Sequence, residues 1–169
     1  LAYPLARPCH LAFSVGDVPT ALELLQESLE ICGRIGYEEG AAWPLTLLGQ
    51  ARLWAGDESD EVREMLEEGR RRFIAIGDTY GQLHANMFIP NVGEQRVENK
   101  LRYAQESVEL VHHPGADPLI RPSAFHNLAF TSWQAGDRQR AIGLIRIAAQ
   151  SALEMGATRT SGMVFLLAG

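Results

Sequence analysis

Glycine recurs in this chain with a period of roughly 40 residues, the spacing of a repeat array, and that limits the fold more than any other feature. Gly-Asp recurs in one register at Gly16-Asp17, Gly56-Asp57 and Gly136-Asp137, the second step being twice the first. The absent copy falls at Arg96, inside Glu94-Gln95-Arg96. A second series, Gly36, Gly77, Gly115 and Gly156, runs out of phase at nearly the same step. Longer matches share the register. Gln26-Glu27-Ser28-Leu29-Glu30-Ile31 returns two periods later as Gln105-Glu106-Ser107-Val108-Glu109-Leu110. Gly36-Tyr37-Glu38-Glu39-Gly40 is answered by Gly77-Asp78-Thr79-Tyr80-Gly81, and Asn86-Met87 by Asn127-Leu128. Such a period means a stack of like units, each one supersecondary element.

Between the glycines the apolar residues step by three and four. Ala21, Leu24, Leu25, Leu29 and Cys32 form one helical face, and Ala141, Leu144, Ile145, Ala148 and Leu153 nearly another. Strict alternation is rare and there is no Asn-Gly turn, so strands are not expected. In each Gly-Asp pair the glycine can end one helix in the left-handed conformation and the aspartate can cap the next. Pro19 falls in a first turn, where its missing N–H does no harm. The reading is nine helices. Helices A span about Ala2–Ser14, Glu38–Ala55, Thr79–Gly93 and Asp117–Ala135; helices B span about Val18–Arg34, Ser59–Ile76, Glu98–His112 and Arg138–Met155. A last partial helix starts near Thr158. The units are about 1–36, 37–77, 78–115 and 116–156, with 157–169 as the partial end. Pro90 should kink the third helix A. The extra residue at Glu61-Val62 should lengthen the second turn by one.

These units resemble tetratricopeptide (TPR) repeats: Leu47-Leu48-Gly49-Gln50-Ala51 then Gly56-Asp57 in helix A, and Ala21…Leu25…Ser28 or Ala141…Ile145…Ala148 in helix B. The resemblance covers nearly the whole chain. The period exceeds the family's usual 34, and no proline follows helix B in the usual place. Long repeats of this phrasing are similar to the regulatory arrays of large ATP-binding LuxR-type bacterial transcriptional regulators, the maltose-regulon activator among them. The resemblance implies an all-α, right-handed α-solenoid of helix-turn-helix repeats, cytoplasmic, with helices A lining an inner surface. Carrying the family register over, the inward positions are Tyr3, Arg7, His10 and Phe13; Trp43, Leu47, Gln50 and Trp54; Gln82, Asn86 and Ile89; and His126, Asn127, Phe130 and Trp133. Aromatic anchors beside amide, imidazole and guanidinium groups suit recognition of a peptide or small ligand. The same aromatics could equally fill space between helices. Asn86 and Asn127 fit either contact with a partner or a helix-to-helix hydrogen bond.

Chemistry is sparse. The net charge is −6 and sequence pI about 5.4, which argues against direct nucleic-acid contact. Arg70-Arg71-Arg72 is too short a basic run to change that; with Glu58, Asp60, Glu61, Glu64, Glu67 and Glu68 before it, it complements a helix dipole. No apolar run approaches membrane-spanning length. His112-His113 lacks the i, i+4 spacing of a helical metal pair and reads as a solvated helix end. Cys9 and Cys32 are expected as reduced packing thiols. Gly33…Gly36…Gly40 is not a dinucleotide fingerprint. No nucleophile elbow or phosphate loop occurs, so an enzyme, a metal site and a cofactor are not expected. A start at Leu1 and an apolar end, Met163 to Gly169, read as a piece of something longer. The expected partner is a protein or peptide, or another domain of the parent chain. A small-molecule effector, and self-association through the end near Phe165 and Leu166, are the alternatives.

Overall fold

In the computed structural model, residues 17–93, 96–116 and 120–155 are described. All the regular structure in them is helical. The chain runs through α1 (Val18–Ile35), a 3-10 turn (Glu39–Ala41), α2 (Ala42–Trp54), α3 (Asp60–Ile76), α4 (Thr79–Phe88), a second 3-10 turn (Ile89–Asn91), α5 (Val97–Leu110), α6 (Ile120–Gln134) and α7 (Arg138–Glu154). The expected first and ninth helices lie outside the described residues.

Both glycine series have a backbone cause. Gly36, Gly56, Gly77, Gly93, Gly115 and Gly136 all take positive φ, and one falls in each junction between consecutive helices. At Gly36 and Gly77 the turn closes α1 and α3 by paired bonds. Gly36 N–H donates to Gly33 and Tyr37 N–H to Cys32; Gly77 N–H donates to Ile74 and Asp78 N–H to Phe73. Only glycine enters this conformation without steric cost. In the copy that lacks Gly-Asp, the left-handed residue is Gly93, three positions before Arg96.

The capping expectation holds at Asp17 and Asp137, whose carboxylates accept from Thr20 N (3.3 Å) and Arg140 N (3.0 Å). The second Gly-Asp differs. Ser59, not Asp57, caps α3, so that turn is two residues longer than the others rather than one. Asp57 is drawn aside by Arg52, whose Nε donates to it at 2.9 Å while Nη2 donates to Glu61 at 2.9 Å. Hydrogen bonds from Ser59 and then Arg52 hold the Asp57 carboxyl below its usual range, and Arg52 does the same to Glu61. Pro90 ends the third helix A instead of kinking it. α4 stops at Phe88 and Pro90 sits in the first turn of a 3-10 segment, where its missing N–H has no bond to lose. Helix A of the second unit likewise begins as a 3-10 turn before Ala42.

The described chain forms two compact units, within 17–93 and 96–155. In the first, α2 packs against α1, α3 and α4, and α3 also packs against α4. Leu25, Ala42, Trp43, Leu47 and Phe73 form its core cluster. α3 buries Val62, Leu66, Gly69 and Phe73 at the same steps as Ala21, Leu25, Ser28 and Cys32 on α1, one period earlier in the chain. Glycine brings α2 and α3 together. A Cβ on Gly49 would come 2.9 Å from the Leu66 side chain, and one on Gly69 would strike Thr46. In the second unit α6 packs on both α5 and α7, burying Ala124, Leu128 and Ala129 while α5 buries Tyr103, Ala104 and Ser107. Buried hydroxyls on several helices turn back to the carbonyl four residues earlier: Thr46 to Ala42, Ser107 to Tyr103, Ser132 to Leu128 and Ser151 to Ile147. Each is thereby satisfied without a partner from another helix.

Candidate functional site

The first unit carries a continuous strip of rings where α2 meets α4. On α4, Tyr80, His84 and Phe88 follow i, i+4, i+8 and so share one face. On α2, Trp43, Gln50 and Trp54 follow i, i+7, i+11. The two rows interleave. Ring centroids lie 5.8 Å apart for Trp43–Tyr80, 5.4 Å for Trp43–His84, 5.0 Å for His84–Phe88 and 5.9 Å for Trp54–Phe88. These are contact separations for tilted and edge-on aromatic pairs.

Three polar contacts fix the strip. Trp43 Nε1 donates to Asp78 Oδ2 at 3.2 Å, while Asp78 Oδ1 caps α4 by accepting from Gly81 N at 2.8 Å. One carboxylate therefore starts α4 and orients the indole of α2. His84 Nε2 lies 2.8 Å from Gln50 Oε1, and since an amide oxygen only accepts, the imidazole donates. Beneath them the Trp43 indole meets Phe73 edge-on at 4.9 Å. The strip is thus bolted to the core at Trp43 and open at its ends: Trp54 is 65% exposed and Tyr80 37%.

The residues expected at the inner surface fall into distinct settings. Trp43 and Gln50 are buried within the strip, and Trp54 stands at its open end. Gln82 and Asn86 face α3. Gln82 Nε2 donates to the Phe73 carbonyl at 3.5 Å, and the fully buried Asn86 accepts from Arg70 Nε at 2.7 Å. Asn86 is therefore a helix-to-helix hydrogen bond, the second of the two readings its recurrence allowed. Ile89 is buried in the 3-10 turn after α4. On α6, Phe130 and Trp133 are exposed, the latter with the Arg138 guanidinium 5.4 Å from its ring centroid. Asn127 is half-buried there and does not repeat the Asn86 setting. Tyr3, Arg7, His10 and Phe13 lie outside the described residues. Tyr80, His84 and Phe88 were missed by the carried-over register, although their four-residue spacing is plain in the sequence.

His126 is also on α6, half-buried, with Nε2 buried and without a hydrogen-bond partner. Burial alone pushes this imidazole below its ordinary value of 6.5. Its proton is bound more weakly folded than unfolded, so stability is highest above that ordinary value and falls as pH drops through it toward the lowered folded value. Urea midpoints should drop between pH 7.5 and pH 5.5, and His126→Phe should flatten that drop; an unchanged profile in the variant would remove His126 as the cause.

Other candidate chemistry does not assemble. Cys32 is buried with a free thiol; Cys9 lies outside the described residues. His112 and His113 are exposed in the turn after α5. Among the described residues, no three His, Cys, Asp or Glu side chains are placed to hold a metal, and no helix is long and apolar enough to cross a membrane. The chain matches no protein-family model and no curated protein.

Proposed function

We propose that this chain is a non-catalytic recognition module of TPR type, a right-handed stack of helical hairpins serving a multidomain bacterial regulator in the cytoplasm. The single observation that carries the reading is the Tyr80–Trp43–His84–Phe88–Trp54 strip. It lies between α2 and α4, the first helices of successive hairpins, which is the inner side in a repeat array. The interleaved left-handed glycines support the same reading, since they set one turn per helix on two alternating series. An aromatic surface held in place by part-buried hydrogen bonds is suited to a peptide or another domain of the parent chain, because groups already held lose less entropy on docking.

The test is selection of a displayed library of random dodecapeptides on the immobilised chain. Selected peptides should bind the intact chain and lose roughly thirtyfold or more in affinity to the Trp54→Ala/Tyr80→Ala variant, as a loss at anchor residues implies. Both side chains are exposed, so circular dichroism should show the helices retained. Peptides that bind the variant as well as the parent would remove the strip as the docking surface.

A further inference from the structure

We infer that the strip between α2 and α4 takes a cationic peptide segment, one that presents arginine or lysine to the rings. The inference rests on the recognition reading above and adds the chemistry of the partner.

Charge carries it. Residues 17–93 hold fourteen acidic side chains against six basic ones, a net charge of −8. Described residues from 96 onward hold five acidic and seven basic, a net of +2. The negative charge of the chain therefore belongs to the unit that bears the strip. Much of its basic charge is already engaged: Arg52 with Asp57 and Glu61, and Arg71 and Arg72 with Glu68. The Glu68 carboxyl sits below its usual range because of those two bonds, Arg72 first, so it stays ionised while paired.

The placement of the remaining carboxylates matters as much as their number. α2 and α4 contain no acidic residue, and Arg52 is their only Lys or Arg. Acids stand at both ends of α2 instead. Glu38 and Glu39 precede it and Glu58 follows it, all three exposed, while Asp57, also after it, is already paired with Arg52. Asp78 enters the strip itself through the Trp43 indole. A segment lying along the strip would meet the exposed rings of Tyr80 and Trp54, with carboxylates in the chain that flanks α2 on both sides. Ring faces carry negative quadrupole density, so a cation is attracted by both. The second unit shows that geometry within its own chain, Arg138 over Trp133 and Arg102 at 4.3 Å over Tyr103. An acidic segment would be repelled by the field of the whole unit, and a neutral one would gain nothing from it.

The experiment uses the peptides recovered from the dodecapeptide library, each resynthesised with glutamine at every Arg and Lys. Binding to the full chain is read by fluorescence anisotropy at 50 and 200 mM salt. Expected are recovered sequences rich in Arg and Lys, a loss of about tenfold or more on the glutamine exchange, and weaker binding at the higher salt. A Glu38→Gln/Glu39→Gln/Glu58→Gln variant, altered only at exposed positions, should weaken the cationic peptides several-fold and leave their glutamine counterparts unchanged. If neutral or acidic peptides are recovered, or the glutamine versions bind equally while Trp54→Ala/Tyr80→Ala still abolishes binding, the cationic inference fails and the recognition reading stands. If cationic peptides bind equally with and without the two aromatic side chains, both fail. Recovery of no peptide overturns the inference as well.

Discussion

Phe73→Ala lowers the unfolding free energy by about 3–5 kcal/mol, the cost of removing a large buried side chain and leaving a cavity behind. Phe73 is fully buried and sits in the core cluster with Leu25, Ala42, Trp43 and Leu47. Its ring meets the Trp43 indole edge-on, and Gly81 of α4 comes so close that a Cβ there would clash with the ring. Three helices close on this one residue, so the void is lined by backbone as well as side chains and collapses poorly. Urea unfolding followed by tryptophan fluorescence measures the loss, because Trp43 reports from the same contact. The neighbouring Ile74, 49% exposed, is the control: Ile74→Ala should cost under about 1 kcal/mol. A loss below that level for Phe73→Ala would mean the core is not assembled as described. The strip should suffer with it, since Trp43 is held from below by Phe73 and from the side by Asp78.

What the sequence made legible was whatever the backbone demands locally. Gly36, Gly56, Gly77 and Gly136 announce helix ends because no other residue adopts their φ without strain. Asp17 and Asp137 announce helix starts because their carboxylates reach a free N–H within the same turn. Helix α1 shows the buried positions Ala21, Leu25 and Cys32 through periodicity alone. Choices between competing partners were not legible. Asp57 could cap a helix or take other partners; it accepts from Arg52 and from Ser59 N–H, and Ser59 caps α3 instead. Asn86 could face outward or inward, and Arg70, on the preceding helix, settles it. The strip was half legible for the same reason. Of the residues taken from the resembled repeats, Trp43, Gln50 and Trp54 on α2 meet α4, but Gln82 and Asn86 on α4 face α3. The residues that meet α2 are Tyr80, His84 and Phe88, on another side of the same helix. Which side faces which neighbour depends on how three helices pack, and a single helix's periodicity cannot say.

Two helical glycines should respond to substitution with opposite sign. Gly69→Val is expected to destabilise by about 2–3 kcal/mol, at the upper part of the range for overpacking a tight core. A Cβ at 69 would strike Thr46 Oγ1 and come 3.1 Å from the Ala42 carbonyl oxygen. Thr46 cannot turn away freely, because that hydroxyl donates to the same carbonyl at 2.9 Å and is otherwise buried. A rotation would strand it without a partner, which costs more than the bond is worth. The remaining relief is for α2 and α3 to separate, and the Gly49–Leu66 contact then opens too. Gly33 on α1 is the contrast. It is exposed, lies inside the helix, and a Cβ there would meet nothing within 4 Å. Gly33→Ala should stabilise by about 0.5–1 kcal/mol, since alanine loses less chain entropy on entering a helix. Urea midpoints of the two variants, read against the parent, give both signs in one experiment. If Gly69→Val is neutral, the close crossing of α2 and α3 is not a feature of the folded chain, and the floor on which the α2 half of the strip stands goes with it.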